Sequence, residues 1–393
     1  MKEGWTYKKL GEVFKTYAGG TPSKANKANY INGTIPWLRS GEVCKKYITE
    51  SELYISEEGL RNSSAKYYPI NTVLIAMYGA TAAQCGILKF EATSNQAVCG
   101  VLPQKDFLPE FVYSYFVYIK DALAAQAQGG AQPNISQEKI KNVYFPCIPL
   151  SEQKLIVSRL DAAFSHIDEL KVNAEKQLSE ARALFQKSLA KAMEPKEGWE
   201  EKKLIEITHD NCPISYGIVQ QGDHIDGGIP VVRPVDMREK YITRENLKCT
   251  TQTISDSYKR TILRGDELLL SVRGTTGIIS LATPELKGCN VNRGIVPLYF
   301  KDQINKDFLY YEMVSPLLQS VFAEKTTGST LKQINIKDLR LIKLSLPPLS
   351  EQQRIVERLD ALSAHVRELE EYQKKIITEC DALKQALLRK VFE

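Results

Sequence analysis

Residues 149–153 read Pro-Leu-Ser-Glu-Gln, and residues 348–352 repeat the same five letters. Over the longer stretches 149–161 and 348–360, ten of thirteen positions match at an offset of 348 − 149 = 199. In each copy the serine can cap free backbone N–H groups, and the glutamate after it places negative charge at the positive end of a helix. Both stretches therefore predict the start of a helix.

After each start, apolar residues recur at steps of four and three for about five heptads, which predicts two long helices, each with a narrow seam that requires a partner helix. The natural partners are the two copies themselves, and Gln177 and Gln373 are polar seam positions that we expect to set their register. The alternative is two surface helices that pack on separate cores. Length argues against it, because a helix of about 40 residues is a rod of roughly 60 Å. The predicted seam positions are Ile156, Leu160, Ala163, Ile167, Leu170, Ala174, Ala181 and Leu184, and Ile355, Leu359, Leu362, Val366, Leu369, Ile376, Cys380, Leu383 and Leu387.

The repeat extends through the whole chain. Lys2-Glu3-Gly4-Trp5 returns as Lys196-Glu197-Gly198-Trp199, just after Pro195 ends the first long helix. Further along, residues 34–39 align with 228–233, 73–81 with 268–276, and 95–98 with 292–295. We therefore expect a duplication with two globular segments, 1–148 and 195–347, and two long helices, 149–194 and 348–393.

Inside each globular segment, short apolar runs bounded by Gly, Asn or Pro predict buried strands at 72–78, 267–272 and 294–300. Helical patterns are scarcer, and the best are 108–124 and 306–322. The predicted fold class is α+β, with two globular domains separated by a long antiparallel two-helix coiled coil and related by a pseudo-twofold internal repeat.

Composition describes an ordinary globular chain of 393 residues, 43% hydrophobic and 25% charged, with a net charge of +5. The helix 151–193 carries seven basic and six acidic residues and the helix 350–393 eight and nine, so their sum is (7 − 6) + (8 − 9) = 0. The excess charge therefore lies in the globular segments, which is compatible with a polyanion there. With no export signal or apolar span, we expect a cytoplasmic protein whose eight scattered cysteines are reduced thiols, most of them packing residues.

Two matched pairs of glycine-bearing loops are candidate contacts for a nucleic acid. Residues 78–81 and 273–277 follow a buried strand, and residues 129–135 and 326–334 precede the last strand. Glycine permits a tight turn, while hydroxyls and arginine can contact phosphate or a guanine edge. Structural turns or linkers are the competing interpretation. Gly19-Gly20-Thr21-Pro22-Ser23-Lys24 has no clear equivalent in the second half, and with Lys27, Arg39, Lys45 and Lys46 it could form a basic face.

Signals of catalysis are missing from the sequence. It contains no phosphate-binding loop, no dinucleotide fingerprint, no Asn/Asp-Pro-Pro-aromatic motif, no His-Glu-x-x-His and no Gly-x-Ser-x-Gly elbow. His166 and His365 occupy equivalent places in the long helices, with Asp161 and Asp360 nearby. A packing or subunit-contact role for these histidines is favoured over a catalytic pair.

Taken together, these motifs resemble the specificity (S) subunit of type I restriction–modification enzymes over essentially the whole chain. The likeness is carried by the paired helix openings, the two Gly-Trp starts, Gly19–Pro22 with Ile35–Trp37, Val73–Thr81 followed by Thr93–Ala97, and Pro133–Ser136. The resemblance implies two target-recognition domains that each read one half of a split DNA site, with the helices as a fixed spacer. The second domain departs from the family by lacking the Gly-Gly-Thr-Pro and Asn-Gln-Ala motifs.

The resemblance also implies partners. The helices would dock two methyltransferase subunits, which carry S-adenosylmethionine and methylate adenine, and two restriction subunits that use ATP and Mg could join. This chain itself is expected to catalyse nothing and to bind no cofactor or metal. The predicted partner-binding residues are Ser151, Glu152, Gln153, His166, Ser350, Glu351, Gln352 and His365.

The side chains predicted to face double-stranded DNA are Lys24, Arg39, Tyr78, Thr81, Gln84, Gln96, Arg233, Arg273, Thr275, Thr276, Asn292, Arg293 and Lys332. Because equivalent loops differ between the halves, each domain should read a different short sequence. Two alternatives remain open at this stage: a coiled-coil adaptor that does not bind DNA, and an enzyme with an unrecognised site.

Overall fold

The computed structural model describes residues 2–126, 134–328 and 331–393. The chain divides into two compact units, one comprising residues 1–175 and 374–393 and the other residues 176–373. Each unit therefore contains one globular segment together with a part of each long helix.

The first unit is a mixed structure of short strands and helices. Its strands are β1 (Thr6–Lys9), β2 (Thr16–Ala18), β3 (Ile35–Leu38), β4 (Tyr47–Ile48), β5 (Tyr54–Ile55), β6 (Val73–Ala76), β7 (Cys85–Leu88), β8 (Thr93–Ser94), β9 (Val98–Val101) and β10 (Tyr144–Cys147). Its globular helices are α1 (Leu10–Val13), α2 (Glu57–Arg61), α3 (Pro109–Ala125) and α4 (Gln137–Lys141), and the long helix α5 (Leu150–Ala192) starts here. The strands form sheets in the orders β2-β9-β6-β7-β4, β5-β3-β8 and β1-β10.

The second unit has the same arrangement. Its strands are β11 (Glu200–Lys203), β12 (Ile229–Val232), β13 (Tyr241–Ile242), β14 (Lys248–Thr250), β15 (Leu268–Ser271), β16 (Ile279–Ala282), β17 (Asn290–Val291), β18 (Ile295–Leu298), β19 (Thr326–Thr327), β20 (Gln333–Ile334) and β21 (Lys343–Leu346). Its helices are α6 (Leu204–Ile207), α7 (Gln252–Asp256), α8 (Lys306–Val314), α9 (Pro316–Lys325) and α10 (Ile336–Arg340), and the long helix α11 (Leu349–Phe392) starts here.

Sheet order shows that the duplication is structural. The orders β13-β16-β15-β18, β14-β12-β17 and β11-β21 repeat those of the first unit strand for strand, apart from the edge strand β2. The pair β19-β20 is described in the second unit alone. The predicted strands at 72–78, 267–272 and 294–300 are confirmed as β6, β15 and β18, whose residues are all buried. Such four-residue apolar runs are buried on both faces and therefore show no alternation.

The second predicted globular helix, 306–322, is wrong as a single element. It is broken into α8 and α9 because Pro316 lacks the N–H that a continuous helix needs. The Ser315 hydroxyl accepts a hydrogen bond from Leu318 N at 3.4 Å and so caps the second piece. The equivalent helix of the first unit, α3, runs unbroken over 17 residues.

One buried contact differs between the units, and in the second unit it contains an ionisable group. In the first unit the Tyr115 hydroxyl donates to the Tyr144 carbonyl at 2.5 Å, and the neighbouring β10 residue is Pro146, which has no N–H. In the second unit, Ser345 of β21 occupies the position that corresponds to Pro146. Its N–H donates to Glu312 Oε1 at 2.6 Å. Glu312 is 2% exposed, and burial raises the pKa of its carboxyl to about 8.

The long helices follow the predicted heptads at some positions and not at others. Ile167, Ala174 and Ala181 are buried as predicted, whereas Leu170 and Leu184 are exposed, as are Leu369 and Leu383 in α11. The four-and-three stepping continues from Leu160 through half-buried or buried residues, namely Phe164, Ile167, Lys171, Ala174, Leu178, Ala181 and Phe185. In α11, Glu370 and Lys384 stand at seam positions instead of the leucines before them. The prediction failed there because a long charged residue can bury its stem while its charge stays in water.

In the first unit, the parts of α5 and α11 that belong to it pack antiparallel. Lys171 Nζ lies 2.9 Å from Asp381 Oδ2, and Lys384 pairs with Asp168. Residue numbers thus rise along one helix as they fall along the other. The hydrogen bond to Asp381 raises the pKa of Lys171 above its ordinary value.

The corresponding helical parts of the second unit are also antiparallel. Arg182 Nε lies 2.7 Å from Glu370 Oε1, and Gln373 Nε2 donates to Gln177 Oε1 at 2.8 Å. Gln373 is only 3% exposed, so it contributes a buried polar contact within the seam. The prediction that the two copies of the long helix are each other's partners is therefore confirmed within each unit.

Cysteine burial agrees with a packing role for most of these residues. All eight are free thiols, and Cys85, Cys99, Cys212, Cys289 and Cys380 are buried. Burial raises the pKa of the Cys85 and Cys99 thiols to about 12. Within 2–126, 134–328 and 331–393, no helix combines the length and apolar character that a bilayer crossing requires.

Candidate nucleic-acid interface

The repeated Pro-Leu-Ser-Glu-Gln motif fastens each long helix to its globular segment through the glutamine. Gln153 is fully buried, accepts a hydrogen bond from Leu108 N at 2.9 Å and donates to the carbonyls of Asp106 and Ile148 at 2.9 and 2.8 Å. Gln352, 2% exposed, accepts from Asn305 N and donates to the Pro347 carbonyl, each at 2.9 Å. The prediction that these two glutamines bind a partner subunit is therefore wrong. They satisfy backbone groups where α3 or α8 begins.

The aspartate that ends the repeated stretch makes a second attachment. In the first unit Lys46 Nζ lies 2.5 Å from Asp161 Oδ1, so this lysine is not part of a free basic face. In the second unit Lys240, whose side chain is 5% exposed, lies 2.7 Å from Asp360 and 3.0 Å from Asp307. Burial alone would lower the pKa of Lys240, but the hydrogen bonds to the two carboxylates outweigh it and raise that pKa. Together the glutamine and the aspartate hold each helix at a defined angle to its own sheet.

The end of α11 completes the core of the first unit. The ring of Phe392 lies 6.1 Å from Trp5, 5.7 Å from Phe111 and 5.3 Å from Tyr118. Trp5 Nε1 also donates to Glu152 Oε1 at 3.0 Å, which joins the repeated Gly-Trp start to the repeated helix opening. Met193, 199 residues before Phe392, is likewise buried in the core of the second unit.

A concavity with a volume of about 640 Å³ lies on the first unit and brings together three of the predicted DNA-facing residues. Lys24, Arg39 and Gln96 line it, alongside Lys27 and the aromatic residues Tyr30 and Trp37. We call it the first concavity. Lys24 and Lys27 give this concavity cationic side chains that can contact phosphate.

The loop that starts at Gly19 shapes this concavity. Trp37 Nε1 donates to the Gly20 carbonyl at 2.9 Å, and the Tyr30 hydroxyl donates to the Pro22 carbonyl at 2.6 Å. A Cβ on Gly19 would lie 2.2 Å from the Ser94 carbonyl oxygen, so only glycine fits. The loop is therefore held rigidly against the strand that precedes Gln96.

Gly217 is the structural equivalent of Gly19, which the sequence comparison missed. A Cβ on Gly217 would lie 2.1 Å from the Val291 carbonyl oxygen, in the same relation to β17 as Gly19 has to β8. Ile218 N donates to the Val291 carbonyl at 2.8 Å, as Gly20 N donates to that of Ser94 at the same distance. The prediction that this loop has no counterpart is wrong. Sequence alignment could not find it because the residues around the single glycine differ.

A second concavity, with a volume of about 300 Å³, lies on the second unit beside the turn that corresponds to Asn95–Gln96, and it extends towards Arg273 and Gly274. Arg273, Asn292 and Arg293 line it together with Ile218 and Val219. Asn292 Oδ1 accepts a hydrogen bond from Gly294 N at 2.9 Å, just as Asn95 Oδ1 accepts one from Ala97 N at 3.2 Å. The two asparagines thus shape the same turn. The exposed residue at its tip is Gln96 in one unit and Arg293 in the other.

Four predicted arginines separate into two kinds. Arg233 donates to Asp236 through Nε and Nη2 at 3.0 and 2.8 Å, and Arg39 Nη2 lies 2.5 Å from Glu52 Oε2. These two residues occupy equivalent places before a 3-10 turn, and the hydrogen bond to Asp236 raises the pKa of Arg233. Within the part of the chain that the structure describes, the guanidinium groups of Arg273 and Arg293 have no hydrogen bond or ion pair.

The remaining DNA-facing predictions lie outside the lining of the two concavities. Tyr78, Thr81 and Gln84 are half-buried, and the Thr81 hydroxyl donates to the Tyr78 carbonyl at 3.4 Å. Thr275 and Lys332 are exposed, whereas the Thr276 hydroxyl is hydrogen-bonded to that of Thr326 at 2.9 Å.

The predicted tight turns are confirmed by the backbone of two equivalent glycines. Gly79 and Gly274 have φ of +73° and +81°, which glycine adopts most readily. The paired loops lie together in each unit, since Tyr78 forms an isolated backbone β-bridge with Asn134, and Arg273 forms one with Gln333. Residues 129–133 of the second loop in the first unit, and 329–330 in the second unit, fall outside the described residues.

Of the other predicted partner-binding residues, four are exposed. Ser151, Ser350 and His365 are exposed, and the His166 side chain is 80% exposed with its Nδ1 3.8 Å from Glu169. Glu351 lies 3.7 Å from Lys196 and 3.6 Å from Arg354. An exposed histidine on a helix is available to a partner subunit, and that role stays a prediction.

Comparison with known proteins agrees with this geometry. A sequence model described as the type I restriction modification DNA specificity domain matches residues 2–180 and 196–379. The chain belongs to this family and contains two copies of its domain, each running from a Gly-Trp start into a long helix.

Two relatives and one solved structure illustrate the similarity. The EcoBI specificity subunit of Escherichia coli is 26% identical over 326 residues, covering 77% of this chain and 69% of that protein. The EcoKI specificity subunit of E. coli strain K12 is 23% identical, covering 100% of this chain and 89% of that protein. A chain solved in a study of complex assembly and conformational transition of the type I R-M system has a TM-score of 0.78 at 21% identity, covering 100% of this chain and 98% of that one. That structural likeness concerns the fold.

Proposed function

We propose that this chain is the non-catalytic specificity subunit of a type I restriction–modification complex and that each unit reads one half of a bipartite DNA site. The observation that carries the proposal is a pair of concavities that each adjoin the same turn of one repeated scaffold, with different side chains at their rims. A shared scaffold supplies the same docking geometry twice, while different rim residues select different bases.

The partners follow from membership of the family. Two methyltransferase subunits would bind the long helices, where Ser151, His166, Ser350 and His365 are exposed, and two restriction subunits could join them. S-adenosylmethionine, ATP and Mg would be bound by those subunits and not by this chain. Because its substrate is cellular DNA, we place the complex in the cytoplasm.

The dependence of DNA affinity on salt tests the proposal. A protein that neutralises only four phosphates should lose about 150-fold in affinity between about 50 and 200 mM salt. The Lys24→Ala variant should flatten the logarithmic salt slope by about 0.9, since one phosphate contact is lost. Lys187→Ala, an exposed charge on α5, is the matched control and should leave the slope unchanged.

The adaptor alternative predicts a different result in the same titration. A coiled-coil adaptor would bind no DNA at any salt concentration, with or without methyltransferase subunits. The family assignment does not support that alternative. An absence of specific DNA binding by the assembled complex would nevertheless overturn the proposal.

A further inference from the structure

The rim of the second concavity presents two arginines whose donors are not used within the described chain. Arg273 and Arg293 both line this concavity, and Arg293 is exposed. Arg39 and Arg233, by contrast, are each paired with a carboxylate. A guanidinium group without an internal acceptor keeps its planar fork of donors available to a ligand.

The backbone holds both arginines in place even though their side chains are open. Arg293 N donates to the Ile218 carbonyl at 2.7 Å, and the next residue is anchored by Asn292 Oδ1. The backbone of Arg273 forms an isolated β-bridge with that of Gln333, and Gly274 N donates to the Lys332 carbonyl at 2.9 Å. Fixing the backbone on both sides reduces the entropy lost when the side chains engage a partner.

The first unit has other residues at these two places. Tyr78 corresponds to Arg273, since each follows the equivalent strand and bridges the loop that precedes the last strand. Gln96 corresponds to Arg293, since each follows the asparagine that shapes the turn. The scaffold therefore tolerates a tyrosine and a glutamine there, so these positions are free to vary without loss of the fold.

We infer that Arg273 and Arg293 determine the specificity of the second unit by donating to the O6 and N7 acceptors of guanine in the half-site it reads. This inference rests on the proposed function. Arginine matches the two acceptors of guanine in the major groove with two donors, which no other base pair offers in that pattern. The half-site read by the first unit, with Gln96 and Tyr78 instead, need not contain guanine at these places.

Methylation motifs provide the test. A host that expresses the chain with its methyltransferase subunits is compared with hosts expressing Arg293→Gln or Arg273→Tyr, each of which copies the residue of the first unit. Each variant should lose about 5- to 150-fold of its preference for guanine at one position of one half-site. The other half-site and the gap should stay unchanged. Arg260→Gln, an exposed arginine outside the concavity, is the matched control.

The outcomes distinguish a failure of the proposed function from a failure of this inference alone. A wild-type chain that directs no sequence-specific methylation would overturn the proposed function itself. A wild-type motif without guanine in either half, variants with an unchanged motif, or an equal loss at cognate and scrambled DNA would overturn this inference alone. Should a variant fail to assemble with methyltransferase, Arg293→Ala or Arg273→Ala at the same position decides by the same criterion.

Discussion

Replacing Glu312 by glutamine is expected to remove a pH dependence from the stability of the second unit. Glu312 is 2% exposed, its Oε1 accepts from Ser345 N at 2.6 Å, and its Oε2 has no hydrogen-bond partner among the described residues. Burial raises the pKa of this carboxyl from 4.5 to about 8. Glutamine keeps the acceptor for Ser345 and cannot ionise.

The direction in which stability changes with pH follows from the direction of the Glu312 pKa shift. The folded-state pKa lies above the unfolded value, so the neutral carboxyl's contribution to stability is complete below pH 4.5 and is lost as pH rises through about 8. Each pKa unit corresponds to about 1.4 kcal/mol. Between about pH 5.5 and 8.5, wild type should therefore lose on the order of 3 kcal/mol of unfolding free energy relative to Glu312→Gln.

Hydrogen exchange of the β21 amides measures this in the full chain. At each pH the protection of residues 343–346 in Glu312→Gln is divided by that in wild type, so the intrinsic exchange rate cancels. The ratio should rise about a hundredfold across the range, while the amides of Tyr144, Phe145 and Cys147 in the first unit show no change. Tyr115 occupies the position of Glu312 in the first unit, and the Tyr115→Phe variant removes its hydroxyl. The protection of the β10 amides in this variant, divided by that in wild type, should not change with pH. A ratio for Glu312→Gln that stays constant from acid to base would refute the reasoning.

Three further predictions concern the attachments and the helices. Lys240→Ala should lower the unfolding free energy by about 2 kcal/mol, because it removes a buried ammonium that makes charge-assisted contacts with two partly exposed carboxylates. Lys46→Ala should lower it by about 1 kcal/mol at a more exposed site; equal losses in urea titrations would contradict this. Gln153→Ala and Gln352→Ala should each cost about 2 kcal/mol through unsatisfied backbone groups, yet leave methyltransferase affinity unchanged in the folded protein. A marked loss of that affinity would restore their predicted partner role. Inserting seven residues in each long helix adds two turns, roughly 10 Å, and should lengthen the gap between methylated half-sites by about three base pairs; an unchanged gap would refute a spacer role.

Sequence patterns predicted the architecture well because the two copies of the repeat are almost identical in sequence where the long helices begin. The glutamine and aspartate of the helix openings recur because each contacts equivalent partners in both units, although sequence could not show that Gln153 and Gln352 face inward. The seam was misplaced by one residue at Leu170 because the prediction followed the apolar residue and not Lys171, and at Leu184 because Leu184 and Phe185 are both apolar and both fit the stepping. A buried lysine stem is indistinguishable from an exposed one in a sequence.

The candidate site was predicted in part. Lys24, Arg39 and Gln96, and separately Arg273, Asn292 and Arg293, do line common surfaces. Which arginines are occupied by Asp236 or Glu52 depends on side-chain geometry, and no motif records it. The equivalence of Gly217 with Gly19 depends on backbone approach to β17 and became visible only from the structure.

The methylation motif of the wild-type chain tests the central claim most directly. Sequencing the methylome of a host that expresses this chain with its methyltransferase subunits should reveal one motif made of two different short half-sites separated by a gap of unspecified bases. A continuous motif, two identical half-sites, or methylation without sequence preference would contradict the claim that two dissimilar units on one repeated scaffold each read their own half.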